Sequence, residues 1–313
     1  MKFDLVGLED SYGNHRFSNN TILKELADKS KYDASVAFIW WIEKIFTQPD
    51  YHETVKRLAE TDWFGVMHVP LLTPNWAQYS QNDLAKLYFS EEWRQALKRC
   101  RGVIALSEHM KVQLKSIYPE LKVFSLKHPV GSSEVLFKVD EFYSKPTVLL
   151  VGAWLRDFES FIQLKSNFDK KVLLNKYAEG YLRDVYSRYS VNILAKVRQL
   201  DCVSFLEDQA YDELFSSSLI FIGLHETSAN NAVCECISYG VPFVAPRHPA
   251  IIEYVGEDYP LLYDDVTEVS RISIDDVVKG HEYLQRNTHL KESLSLDKFV
   301  HGVSDIYKEI FEK

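Results

Sequence analysis

Residues 219–256 read LIFIGLHETSANNAVCECISYGVPFVAPRHPAIIEYVG, and this stretch decides the fold class. The apolar run 219–224 has the length of a buried strand. Residues 225–228 form a polar loop at its end. Ser228 serves as the expected N-cap of a helix over 230–239, Gly240 closes that helix, and Pro242 opens the next strand, 242–245. Strand, loop, helix and strand in such short succession make a βα unit of a parallel sheet. In such sheets ligands bind beyond the carboxyl ends of the strands. A helix beginning at Ala229 points unpaired N–H groups and a partial positive charge into that region. Glu235 follows in its second turn, on the face of Asn231. A carboxylate there can accept hydrogen bonds from the vicinal hydroxyls of a ribose, and the amides beside it can hold a diphosphate. Spacing alone leaves a rival reading open, in which Glu235 is a surface acid and Asn230 and Asn231 only cap a helix.

The same alternation extends in both directions. Strands are expected at 3–8, 63–69, 102–106 and 123–126, then at 147–152, 203–206, 219–224 and 242–245. Helices are expected at 21–29, 53–60 and 91–99, with Asn19 or Asn20 and Ser90 as caps, and at 182–200, 211–215 and 297–311. Residues 134–146 lack periodicity and read as a linker. The fold class is therefore α/β, with two Rossmann-like domains and parallel sheets. The expected division is 1–140, 141–290, and a last helix in 291–313 that turns its apolar stripe back toward the N-terminal domain.

Composition narrows the function classes. The chain of 313 residues carries 46% hydrophobic and 26% charged residues, with 18 Tyr and 18 Phe, which suits packed cores and not disorder. No apolar run approaches the ~18 residues of a membrane span, and the N-terminus reads as a first strand, not a signal peptide. Cys100, Cys202, Cys234 and Cys236 form no CxxC pair, so buried free thiols in a reducing cytoplasm are expected. The net charge of −9 falls wholly after residue 145. Within the neutral first part, residues 86–127 hold nine Lys and Arg against four acids, an excess suited to an anionic acceptor or membrane face or to solvated helix surface. Nucleic acid is not an expected partner of so acidic a chain. No Walker, GxGxxG, GxSxG or HExxH motif is present. The acid pairs 264–265 and 275–276 read as solvated loop acids or caps.

The run Glu235-Cys-Ile-Ser-Tyr-Gly240-Val-Pro242-Phe resembles the donor-binding signature of the retaining family-4 glycosyltransferases, which have two facing Rossmann-like domains (the GT-B architecture). The resemblance extends to residues 100–129, similar to the end of the N-terminal domain in these enzymes, and to VLLVGAWLR at 148–156, similar to the first strand and Gly loop of the donor domain. Residues 63–76, with His-Pro at 128–129 and Trp-Leu-Arg at 154–156, resemble a bacterial surface-polysaccharide subgroup.

The resemblance implies a cytoplasmic enzyme, on the inner membrane face if peripheral, that moves a sugar from a nucleotide-sugar donor to a glycan or lipid-linked acceptor. It implies retention of configuration and no metal or other cofactor. Glu235 would hold the donor ribose, His68 would face the sugar, and Arg156 would stabilise the leaving diphosphate. Gly152 and residues Thr227, Ser228, Ala229, Asn230 and Asn231 would line the donor. The family's first motif Glu should stand at Thr227, whereas the acid here is Glu226. Either the loop is one residue longer and Glu226 keeps the role, or the sugar contact passes to Thr227 or to loop amides. The family's donor-phosphate Lys is missing after Arg156, and Lys176, Lys196 or Arg247 could replace it. A sugar-nucleotide epimerase and a non-catalytic sugar-nucleotide-binding subunit are the alternatives.

Overall fold

The computed structural model describes residues 1–6, 19–74, 87–88, 90–131, 135–186, 192–204 and 206–312. It divides into two compact units. One comprises Met1–Thr73, Gln78–Pro129 and Ser295–Lys313, and the other Pro74–Ala77 and Val130–Leu294.

The first unit holds five parallel strands in chain order: β1 (Asp4–Val6), β2 (Val36–Ile39), β3 (Asp62–Met67), β4 (Cys100–Ala105) and β5 (Val123–Ser125). Helices cover both faces, so β2 and most of β3 and β4 are apolar and buried. Successive side chains of β3 divide the faces. Trp63 packs against Phe46 and Trp93, from the helices Ile42–Thr47 and Glu91–Leu97. Phe64 turns the other way, onto Phe3, Phe38, Tyr307 and Phe311. The last two belong to the helix Leu296–Phe311, whose buried stripe of Phe299, Val300, Val303, Ile306 and Tyr307 covers that face.

The second unit holds six parallel strands: β6 (Thr147–Leu150), β7 (Asp169–Leu173), β8 (Asp201–Val203), β9 (Leu219–Phe221), β10 (Phe243–Pro246) and β11 (Leu262–Tyr263). Their order is β11-β10-β9-β6-β7-β8. The chain steps outward from β6 to β8, then returns to lay β9 on the other side of β6. That reversal, between β6 and β9, opens a crevice beyond the carboxyl ends of both strands. Among the described residues the first sheet has no such reversal.

Several expected elements differ. β2, β7 and β11 lie outside the strands expected from sequence. β7 is masked by charge: its Lys170 ammonium donates to the carbonyls of Ile162 and Leu164, and Lys171 pairs with Asp201 at 3.1 Å. The expected linker contains a helix, Val139–Ser144, pinned by buried Phe142 against Phe137 and Phe168. The single helix over 182–200 is two, Lys176–Tyr186 and Ile193–Val197, the second capped by Asn192. Leu8, residues 75–76, Lys86, Glu134 and 187–191, as well as the side chains of Asn19 and Asn20, lie outside what is described. Ser90 caps its helix as expected. All four cysteines are free, and Cys100 and Cys202 are only partly buried. Among the described residues no helix is long and apolar enough to cross a membrane.

Candidate functional site

In the second unit the loops after β6 and β9 build a polar centre at the strand-order reversal. β6 ends in a tight reversal in which Gly152 has φ +81° and Leu155 has φ +58°. The left-handed region suits glycine and strains a leucine. This turn folds the Arg156 side chain back to the residue that follows its own strand. Its Nε donates to the Val151 carbonyl at 3.0 Å, and its Nη2 donates to Asn230 Oδ1 at 3.0 Å. A Cβ on residue 152 would stand 3.2 Å from both Nε and Nη2, so Gly152 makes room for the guanidinium.

Backbone contacts lock the two loops together. Arg156 and Leu224 form an antiparallel bridge, Asp157 N–H donates to Gly223 O at 3.0 Å, and His225 N–H donates to Leu155 O at 3.0 Å.

Asn230 caps the helix Asn231–Tyr239, where the sequence suggested Ser228. Its Oδ1 accepts from Ala232 N–H at 3.1 Å and Val233 N–H at 3.4 Å, as well as from Arg156. One oxygen therefore joins a guanidinium to a helix N-terminus, two sources of positive potential. Burial pushes the Arg156 pKa down to about 10, partly offset by Cys236, Tyr211 and Tyr181, so the group stays cationic at neutral pH. Gly240 ends the helix in the left-handed conformation, as its position suggested.

The acidic members of the site are both buried and both held. Glu235 Oε2 accepts from the Tyr211 hydroxyl at 2.8 Å, and Tyr211 stacks on Phe215 at 5.4 Å. Glu226 Oε1 pairs with His248 Nε2 at 2.8 Å and accepts Thr227 N–H at 2.9 Å. Thr227 Oγ1 donates to Ala229 O at 3.0 Å. Thr227, Ser228 and Asn230 are buried, whereas Asn231 is exposed.

Of the expected residues, Gly152, Arg156, Glu226–Asn231 and Glu235 all lie in this unit, on the loops after β6 and β9 and the helix that follows. Topology sorts the three candidates for a second cation. Lys176 opens the helix after β7, and Arg247 directly follows β10, so both stand at the carboxyl edge. Lys196 lies in the last turn of the helix that leads into β8, at the amino edge, away from the crevice. Arg247 sits 3.8 Å from Asp264. Asp265 and Asp276 serve capping boxes, with Glu268 and Ser273 respectively.

His68 belongs to the first unit, just past β3. Its N–H and that of Val69 both donate to Glu43 Oε1, at 2.7 and 2.5 Å. Its ring lies against Trp40, Trp41 and His128, with centroids at 4.9, 5.4 and 6.1 Å. Glu43, Tyr211 and His248 were not singled out from sequence. The His-Pro pair at 248–249 does carry a helix-start signal, but nothing local points from it to Glu226.

No protein-family model matches the chain, and no curated protein sequence matches it. Solved structures do. Sucrose-phosphate synthase from Thermosynechococcus elongatus is similar over 94% of this chain and 78% of its own, with TM-score 0.65 and 12% identity. HepE from Anabaena, solved with UDP and glucose, is similar over 92% and 80%, with TM-score 0.62 and 9% identity. The lipopolysaccharide outer core galactosyltransferase WaaB is similar over 91% and 77%, with TM-score 0.56 and 10% identity. At these identities the likeness establishes the architecture, and the chain has the α/β fold with two parallel-sheet units that these GT-B glycosyltransferases share.

Proposed function

We propose that this protein is a glycosyltransferase that moves a sugar from a nucleotide-sugar donor to a glycan or lipid-linked acceptor. The observation that carries the reading is the Arg156–Asn230 contact, which sets a buried cation against a helix N-terminus at the β6/β9 reversal. Such an arrangement suits a diphosphate. HepE, of the same fold, is a UDP and glucose complex, which supports a nucleotide sugar as the ligand class here.

In the proposed reaction the bond between the sugar's anomeric carbon and the diphosphate oxygen breaks. Its electron pair leaves with the diphosphate. Arg156 and the N–H groups beginning the helix Asn231–Tyr239 stabilise that growing negative charge. An acceptor hydroxyl oxygen bonds to the anomeric carbon and passes its proton to the departing diphosphate oxygen. Glu235 holds the ribose, Gly152 and residues 227–231 line the donor, Glu226 takes a hydroxyl of the sugar, and His68 serves the sugar from the first unit. Lys176 or Arg247 supplies the second cation for the diphosphate. Transfer proceeds with retention and needs no metal.

The acceptor reading starts from the basic excess at 86–127. Many of these cations have partners within the chain. Arg94 pairs with Glu91, Arg99 and Arg101 with Asp62, and Lys111 with Glu108, while Lys115 binds the carbonyls of Pro119 and Leu121. Such exposed pairs contribute only ~0–1 kcal/mol, so they exchange readily for a lipid phosphate. Val112 and Ile117 are exposed on the same helix as Lys111 and Lys115. Peripheral contact with an anionic membrane at the cytoplasmic face follows as the proposal.

The test incubates the protein with a panel of UDP-, GDP- and ADP-hexoses, with and without bacterial lipid-linked glycans. Nucleotide release that depends on acceptor supports transfer. Free nucleotide without acceptor, together with an epimerised sugar, would point to an epimerase instead.

A further inference from the structure

We infer that His248 is a positioning residue that steers Glu226 and thereby sets which donor sugar the site accepts, an inference that rests on the glycosyltransferase reading. The two residues sit on neighbouring loops. Glu226 follows β9 and His248 follows β10, and β9 pairs with β10. Thr227 N–H holds Glu226 Oε1 from within its own loop, and His248 adds a second donor from the neighbouring loop.

The hydrogen-bond pattern assigns the imidazole's tautomer. His248 is the N-cap of the helix Pro249–Val255, and its Nδ1 accepts Ala250 N–H at 3.2 Å. Pro249 has no N–H, so Ala250 supplies the first donor that needs a cap. An accepting Nδ1 carries a lone pair, and the ring proton of the neutral imidazole is therefore on Nε2. That Nε2–H donates to Glu226 Oε1 at 2.8 Å, beside Thr227 N–H at 2.9 Å. The ring is itself fixed by the cap, so the pair forms a chain of fixed groups: helix, imidazole, carboxylate. Both side chains are largely buried, at 15% and 8% exposure, which favours a single geometry.

A carboxylate whose Oε1 is held by both His248 and Thr227 N–H meets a sugar hydroxyl in a fixed orientation. It therefore distinguishes epimers by hydroxyl orientation, and a loose carboxylate does not. The expected signature is a loss of discrimination between donors with little change in the affinity for nucleotide alone.

Two substitutions separate the roles of the imidazole. His248→Asn keeps a cap acceptor for Ala250, since Asn is a strong N-cap, but is too short to reach Glu226. His248→Gln restores the reach and an N–H donor. The measurements are kcat and KM for the preferred hexose donor and its C4 epimer, calorimetry with the nucleoside diphosphate alone, and long-range ¹⁵N correlation of the His248 ring. His248→Asn should lower kcat/KM for the preferred donor about tenfold or more and shrink epimer discrimination. Nucleotide affinity should hold. His248→Gln should recover part of the discrimination. The wild-type ring should be the Nε2–H tautomer, with its Nε2 resonance displaced by Glu226→Gln, and the costs of His248→Asn and Glu226→Gln should not add. Wild-type discrimination in His248→Asn, additive costs, or an Nδ1–H tautomer would overturn the inference while leaving the glycosyltransferase reading intact. Failure of the wild type to bind any nucleotide sugar of the panel would overturn both.

Discussion

Glu43 grips the chain at His68: one oxygen of its buried carboxyl group accepts the N–H of His68 at 2.7 Å and that of Val69 at 2.5 Å. Its other oxygen is buried without a hydrogen-bond partner among the described residues. Burial pushes the Glu43 pKa up to about 7, against the opposing pull of backbone hydrogen bonds from Val69, Glu43 itself and His68. A side chain this costly to ionise, placed under a candidate site residue, makes stability depend on pH. Lys44 is its buried neighbour in sequence, and Tyr88 lies near enough to feel its charge.

The sign follows from linkage. The unfolded chain releases this proton near 4.5, the ordinary value of a glutamate, whereas the folded chain keeps it up to about 7. Between those values the folded state binds more protons, so stability falls as pH rises and levels off above about 7. The contribution across the window is about 3 kcal/mol at most. Glu43→Gln should flatten that decline. Urea unfolding from pH 5 to pH 8 checks this, and parallel curves for the two proteins would remove Glu43 as the cause.

Arg156→Ala should lower turnover about 100–1,000-fold, more than it weakens donor binding, because the guanidinium acts on charge that develops as the diphosphate leaves. Arg156→Lys should rescue little. The side chain bonds Val151 O through Nε and Asn230 through Nη2, and an ammonium cannot make that fork. Single-turnover kinetics beside calorimetry separate the two effects. Near-normal turnover in Arg156→Ala would pass the role to Lys176 or Arg247.

Gly152→Ala should disturb fold and site together. The left-handed φ of +81° costs an L-residue about 1–2 kcal/mol, and the new Cβ would press on the guanidinium. A thermal midpoint lower by roughly 2–8 °C is expected, with turnover reduced in the direction of Arg156→Ala. An unchanged midpoint would mean that the turn relaxes freely.

Lys98, Arg99 and Arg101 changed together to Ser should weaken sedimentation with anionic liposomes. Wild-type binding should itself fade with salt, over a Debye length of ~8–10 Å. Negligible binding by both proteins would leave the basic stretch as solvated surface and the acceptor as a soluble glycan.

The chain announces its second unit more clearly than its first. The run from Leu219 to Tyr239 carries a buried strand, a polar loop and a glycine-ended helix, and each local signal agrees with the tertiary outcome. Asn230, not Ser228, is the cap, and its Oδ1 also meets Arg156, a contact 74 residues away in sequence that no local pattern encodes. The same holds for His248 and Glu226, for Tyr211 and Glu235, and for Glu43 and His68. Each pair joins neighbouring elements, so only the strand order could bring it into view. β7 carries no strand signal because three of its five residues are charged, and their long stems and local partners hide a strand inside a polar sequence.

The most direct test of the account is calorimetric titration of the wild type and of Glu235→Gln with the nucleotide-sugar panel. Glu235 is the proposed ribose anchor and is held in place by Tyr211 at 2.8 Å. Its charge-assisted bond should contribute ~1.5–3 kcal/mol, a factor on the order of tenfold to a hundredfold in affinity. The account predicts saturable binding of one nucleotide series by the wild type and a loss of that size in Glu235→Gln. Equal affinity in the two proteins, or no binding of any nucleotide sugar by the wild type, would contradict it.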